Sequence, residues 1–98
     1  MRLEGKFSLG QLAATPGALE ALEGSGQEPS FFIAKHLAGD WGEVGAEDWR
    51  LNDEALKDGS RLLSVYTTLR GVRLYVITEA ADDNGHRAGT TILRPDEY

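Results

Sequence analysis

With 98 residues the chain can bury one hydrophobic core and has no room for a second domain. Its 41% hydrophobic and 27% charged residues suit a folded globular protein rather than a disordered one. It has no cysteine, which rules out disulfides and thiolate metal sites and fits a reducing cytoplasm, and its net charge of −6 disfavours wrapping a phosphate backbone.

The opening residues Met1-Arg2-Leu3-Glu4-Gly5-Lys6 lack the apolar run of a signal peptide, and no segment approaches the ~18 apolar residues a membrane span requires. Phe7 to Ala14 begins by alternating apolar with small or polar residues and predicts a first strand, weakened or bulged at Gly10. Thr15-Pro16 then opens a helix: the threonine caps, and proline suits the first helical position, where its missing N–H has no partner anyway. Leu19 and Leu22 share a face of this helix, and Gly24 and Gly26 end it.

Pro29 opens a second helix whose apolar stripe holds Phe32, Ile33, His36 and Leu37. A tight connector, Gly39-Asp40-Trp41-Gly42, leads to a third helix from Ala46 to Lys57. There Trp49 and Leu56 face the core, with Asn52 and Asp53 roughly 60° and 40° from Trp49 around the axis.

Arg61–Leu69 and Val72–Glu79 read as strands joined by a two-residue turn at Arg70-Gly71. That turn places Tyr66 opposite Tyr75. It turns Leu63, Val65, Thr67 and Leu69 toward the helices, along with Val72, Leu74, Val76 and Thr78. Tyr66, Tyr75, Arg73 and Glu79 are left on an open face that a second copy can cover. Ala80–Gly89 is a polar loop, and Thr90–Arg94 is a last strand stopped by Pro95. The expected fold is α+β, β-α-α-α-β-β-β, with an antiparallel sheet carrying helices on one face.

Several strings resemble a family of small bacterial proteins labelled "plasmid-related", carried by mobile elements and phage-like regions. They are His36-Leu37-Ala38-Gly39-Asp40-Trp41-Gly42, Asn52-Asp53-Glu54-Ala55-Leu56, Ser60-Arg61-Leu62-Leu63-Ser64-Val65-Tyr66, Ile77-Thr78-Glu79-Ala80 and Thr90 to Tyr98. The link from Ala80 to Gly89 is longer than that family's, so Arg87 matches it only loosely. The resemblance implies a setting, the bacterial cytoplasm and mobile DNA, and no mechanism.

The charge is uneven. Residues 1–59 hold eleven Asp/Glu against five Lys/Arg, whereas residues 60–98 hold five of each. Asp40, Glu43, Glu47, Asp48, Asp53, Glu54 and Asp58 crowd one stretch that has only Arg50 and Lys57 in opposition. Such a face repels nucleic acid and attracts a basic protein surface. The sequence-based expectation is therefore a non-enzymatic protein-binding accessory of a mobile element. One form of it is an acidic inhibitor of host defence, of the anti-restriction or anti-CRISPR type. Its binding residues are Asp40, Trp41, Glu43, Glu47, Asp48, Glu54 and Asp58, with a small pocket at His36, Asn52 and Asp53. The alternative is a metal-free ribonuclease using Arg73, Glu79 and Tyr66 on the open sheet face, with His86 and Arg87 in the adjoining loop. The histidines stand fifty residues apart with no metal-ligand spacing, and no phosphate loop or nucleotide fingerprint occurs, so no metal or cofactor is expected.

Overall fold

A computed structural model describes residues 5–98, so the reading of the first four residues lies outside it. In chain order the elements are β1 (Gln11–Ala14), α1 (Pro16–Ser25), α2 (Pro29–Leu37), α3 (Ala46–Asp58), β2 (Leu62–Thr67), β3 (Arg73–Thr78) and β4 (Gly89–Leu93), followed by a 3-10 turn at Pro95–Glu97. This is the expected α+β order. The helix-start signals act as their chemistry dictates: the Thr15 hydroxyl accepts the Ala18 N–H at 3.2 Å, with Pro16 in the first turn. Among the described residues, no helix is long and apolar enough to cross a membrane.

The sheet order is β1-β4-β3-β2. β2, β3 and β4 are antiparallel neighbours, but β1 runs parallel to β4, so the sheet is mixed rather than wholly antiparallel. A parallel pair needs a long crossover, which the intervening helices and hairpin supply. β1 is also shorter than the alternation suggests, because the chain turns at Gly10, where φ is 64°.

The β2–β3 register is one residue away from the one expected. Tyr66 pairs with Leu74 and Val65 with Tyr75, so Tyr66 and Tyr75 lie on opposite faces. The connection is a three-residue loop, Leu69-Arg70-Gly71, closed by Thr68 and Val72. The Thr68 N–H donates to the Val72 carbonyl (2.8 Å), and the Gly71 N–H donates to the Thr68 carbonyl (2.9 Å). Gly71 has φ of 84°, the left-handed position this loop type reserves for glycine. A one-residue slip turns a whole strand over. Leu62, Ser64 and Tyr66 consequently face the helices beside Leu74, Val76, Thr78, Thr90 and Ile92, and all of them are buried.

The core has two parts. The larger holds Ala18, Ala21, Leu22, Phe32, Ile33, Tyr66, Leu74, Val76 and Ile92. The smaller gathers Trp41, Ala55 and Leu62, with Phe7, Val44, Trp49 and Leu56 against them. The connector runs along the outer edge of β2, pairing Gly42 with Val65 in parallel. A Cβ on Gly42, where φ is 74°, would stand 2.1 Å from the Val65 carbonyl oxygen. Gly42→Ala is therefore expected to cost more than about 2 kcal/mol in urea unfolding. Gly24→Ala meets nothing within 4 Å and should gain about 0.5–1 kcal/mol through helix propensity.

Candidate functional site

The connector expected to present Trp41 to a partner instead buries it. Trp41 is 0% exposed, stacked on Phe7 with ring centroids 6.2 Å apart, and its indole Nε1 donates to Asp53 at 3.0 Å. A fully covered indole cannot anchor another molecule. Asn52 is likewise structural: its amide brackets Leu63, Nδ2 donating to the Leu63 carbonyl (2.7 Å) and Oδ1 accepting the Leu63 N–H (3.1 Å). His36 packs edge-on against Trp41, Asp53 accepts its indole N–H, and Asn52 holds Leu63, so these three side chains are spent on neighbours within the fold.

The carboxylates of the acidic stretch are mostly engaged within the molecule. Asp40 accepts the Gly42 N–H at 3.1 Å and lies 3.9 Å from Lys35. Glu47 and Glu54 both pair with Arg50, and Glu43 lies 3.5 Å from Arg73. Asp58 accepts the Ser60 N–H at 2.8 Å; hydrogen bonds from Ser60 hold its carboxyl below the usual range, as Arg50 does for Glu47. Asp48 alone among the seven has no partner among the described residues. The stretch keeps its excess of negative charge, but its carboxylates are not the row of free groups expected.

The candidate nuclease residues do not assemble. Tyr66 faces the helices, 4% exposed, and its hydroxyl donates to the Asp40 carbonyl. Burial pushes its ionisation well above the ordinary phenol. Arg73 opens β3 and Glu79 follows its last residue, so they stand about 20 Å apart along the strand. Arg87 is 6% exposed and donates to the carbonyls of Ser60 (2.8 Å), Glu79 (2.9 Å) and Ala55 (3.1 Å), tying the 80–89 loop to the end of α3. His86 is exposed in that loop, which Asp82 holds by accepting the N–H groups of Asn84 and His86. Tyr75 remains on the outer face but meets the chain's own Tyr98 edge-on at 6.2 Å, so the expected Tyr66–Tyr75 dimer face does not exist in that form.

His36 is the most constrained titratable group. It is 0% exposed, with Nδ1 2.5 Å from Ser64 Oγ and Nε2 2.8 Å from Thr78 Oγ1. Thr78 lies 2.7 Å from Thr90, whose hydroxyl donates to the Leu9 carbonyl at 2.7 Å. A carbonyl can only accept, so in the neutral ring every proton direction follows from it. Thr90 gives its proton to Leu9, Thr78 gives its own to Thr90, and Nε2–H of His36 donates to Thr78. Nδ1 is then left to accept from Ser64. The neutral ring satisfies the whole chain. Burial, and then the charge of Arg87, push the imidazole pKa down to about 4.

One feature escaped the sequence reading. Two apolar grooves of about 410 and 680 Å³ adjoin at Glu28 and Ser30. The first lies between β1 and the start of α2, lined by Leu12, Ala14, Pro29, Ile33 and Ile92 among others. The second is lined by Phe31, Ala34 and Leu69. Leu12, Phe31 and Leu69 are 53%, 51% and 82% exposed. The sequence signal was Phe31, which falls off the Phe32–His36 stripe of α2 and therefore points away from the core. Among the described residues, no group of three His, Asp or Glu could hold a metal ion. Comparisons with protein-family profiles, curated proteins and solved structures find no significant match.

Folded His36 stays neutral to about pH 4, whereas in the unfolded chain it protonates near the ordinary imidazole value of 6.5. Its stabilising contribution is complete above pH 6.5 and is lost as pH falls toward 4, by about 3 kcal/mol in total. Urea unfolding between pH 7 and 4 should show this slope, and His36→Gln should flatten it while lowering stability at pH 7.

Proposed function

We propose that the chain is a protein-binding domain without catalytic activity of its own, acting in the bacterial cytoplasm as an accessory of a mobile element. The observation that carries this reading is the pair of apolar grooves that adjoin at Glu28 and Ser30, with Leu12, Phe31 and Leu69 exposed beside them. Large apolar side chains grouped around grooves are the usual mark of a docking surface. Among the residues a ribonuclease would use, Tyr66 and Arg87 are buried and serve as structural hydrogen-bonders, and Arg73 and Glu79 are separated by the length of a strand.

The net charge of −6 favours a partner with a basic surface. The narrower reading, an acidic mimic that blocks a defence protein through the α3 face, has less support. Its carboxylates are largely engaged within the molecule, whereas the grooves lie elsewhere.

A photo-reactive benzoylphenylalanine at Phe31 or Leu69, in protein expressed in a bacterium, should form a discrete adduct with another protein. The same probe at Glu54 on α3 should form none. Adducts from Glu54 alone would move the interface to the acidic helix. Cleavage of RNA by the purified protein, abolished by Arg73→Ala or Glu79→Ala, would replace the binding reading with the enzymatic one.

A further inference from the structure

The two edges of the sheet are treated differently. An edge strand exposes backbone N–H and C=O groups that will pair with another chain unless they are blocked. On β2 they are blocked. Leu63 is bracketed by the Asn52 amide. The Val65 N–H donates to the Trp41 carbonyl at 3.1 Å, and the Val65 carbonyl accepts the Glu43 N–H at 2.7 Å. On β1 the Gln11 and Thr15 N–H groups donate to Ala88 and Ile92 along β4. Peptide direction alternates along a strand, so the amides and carbonyls of Leu12 and Ala14 point to the outer edge. Among the described residues nothing pairs with that edge. Nor does β1 carry the lysine, proline or inward charge with which edges are ordinarily protected; its sequence is Gln11-Leu12-Ala13-Ala14.

The free edge and the first groove coincide. Leu12 and Ala14, whose backbone is open, are paired in register with Thr90 and Ile92 on the helix-facing side, and both line the groove with Pro29 and Ile33. A strand laid beside β1 would therefore drop every second side chain into that groove. The available edge is short, bounded by the turn at Gly10 and by Pro16, which begins α1. Glu28 lines both grooves, has no side-chain capping bond to α2, and adds to a chain of net charge −6.

We propose that β1 accepts an extended, basic segment of a partner protein as a fifth strand, its alternate apolar side chains seated between Leu12, Ala14, Pro29 and Ile33. This rests on the protein-binding reading and names its mode, strand addition. A second copy of the chain is the poorer occupant, because it would bring another net −6 and another Glu28 to the same edge.

The test uses the full chain, labelled with ¹⁵N, and a synthetic hexapeptide alternating valine with arginine or lysine. The amides of Leu12 and Ala14 should exchange rapidly in the free protein and become protected on titration, with those of Leu63 and Val65 unchanged. Backbone N-methylation at alternate peptide residues keeps the side chains but removes strand donors, and should weaken binding about tenfold or more. An alternating valine–glutamate peptide should bind at least about tenfold more weakly.

Leu12→Pro removes an outward N–H while sparing the β1–β4 ladder, and should abolish binding. Leu12→Lys serves the same purpose if the proline variant does not fold. Equal binding of the methylated peptide, or no protection of Leu12 and Ala14 in large peptide excess, overturns the proposal. Protection of those amides without peptide, with a dimer in sedimentation, assigns the edge to a second copy and also overturns it. Adducts at Phe31 that persist when the peptide fails would leave the protein-binding reading standing without the strand.

Discussion

The fold is organised around a buried histidine that must stay neutral. His36 joins α2 to Ser64 on β2 and Thr78 on β3, and through Thr78 to Thr90 on β4 and the backbone at Leu9. Its ring also packs edge-on against Phe7 at 5.2 Å and Trp41 at 5.5 Å. A buried polar network is stabilising only when every member is satisfied. Here the terminal carbonyl imposes one proton arrangement on all four side chains. The cost of any other arrangement is an unpaired polar group among apolar neighbours. That requirement selects the β2–β3 register. Ser64 has to face α2, so Leu62 and Tyr66 share the helix-covered side of the sheet, and Leu63 and Val65 go to the other side.

The strand pattern after the connector misleads for this reason. A pattern rule sees Leu63, Val65, Thr67 and Leu69 as an apolar row and sends it inward. It has no means of knowing that a histidine 28 residues earlier requires a serine opposite. The hairpin was equally ambiguous locally, because Arg70-Gly71 suits a two-residue turn and Leu69-Arg70-Gly71 suits a three-residue one. By contrast, the helix boundaries were legible, since Thr15-Pro16, Pro29 and the glycines act through their own backbones and nearest neighbours. Pairing of β1 with the last strand was illegible because it depends on a crossover through most of the chain.

The candidate site shows the same division. Residues singled out for their chemistry turned out to satisfy backbone groups: Asn52 at Leu63, Arg87 at three carbonyls, Asp58 at Ser60, Asp40 at Gly42. Polar side chains beside glycine-rich turns have this use more often than a catalytic one, because a turn leaves backbone groups without ladder partners. The groove beside β1 went unseen because it is made of ordinary residues, and only the arrangement of β1 beside α2 brings them together.

The internal ion pairs on α3 do not cancel the acidity of the chain. Arg50 is already counted in the balance of −5 over residues 40–58, so pairing it with Glu47 and Glu54 redistributes charge without removing the excess. What pairing removes is the ability of those carboxylates to form new, directional bonds at little cost. A net field then acts at range, over roughly 8 Å at physiological salt, and favours or disfavours approaching chains without choosing a contact. Strand pairing has the complementary weakness: backbone hydrogen bonds hold any extended segment alike. Strand addition at an open edge of an acidic molecule, as proposed, would combine the two, the field disfavouring acidic chains and the groove discriminating among the remainder by the shape of every second side chain.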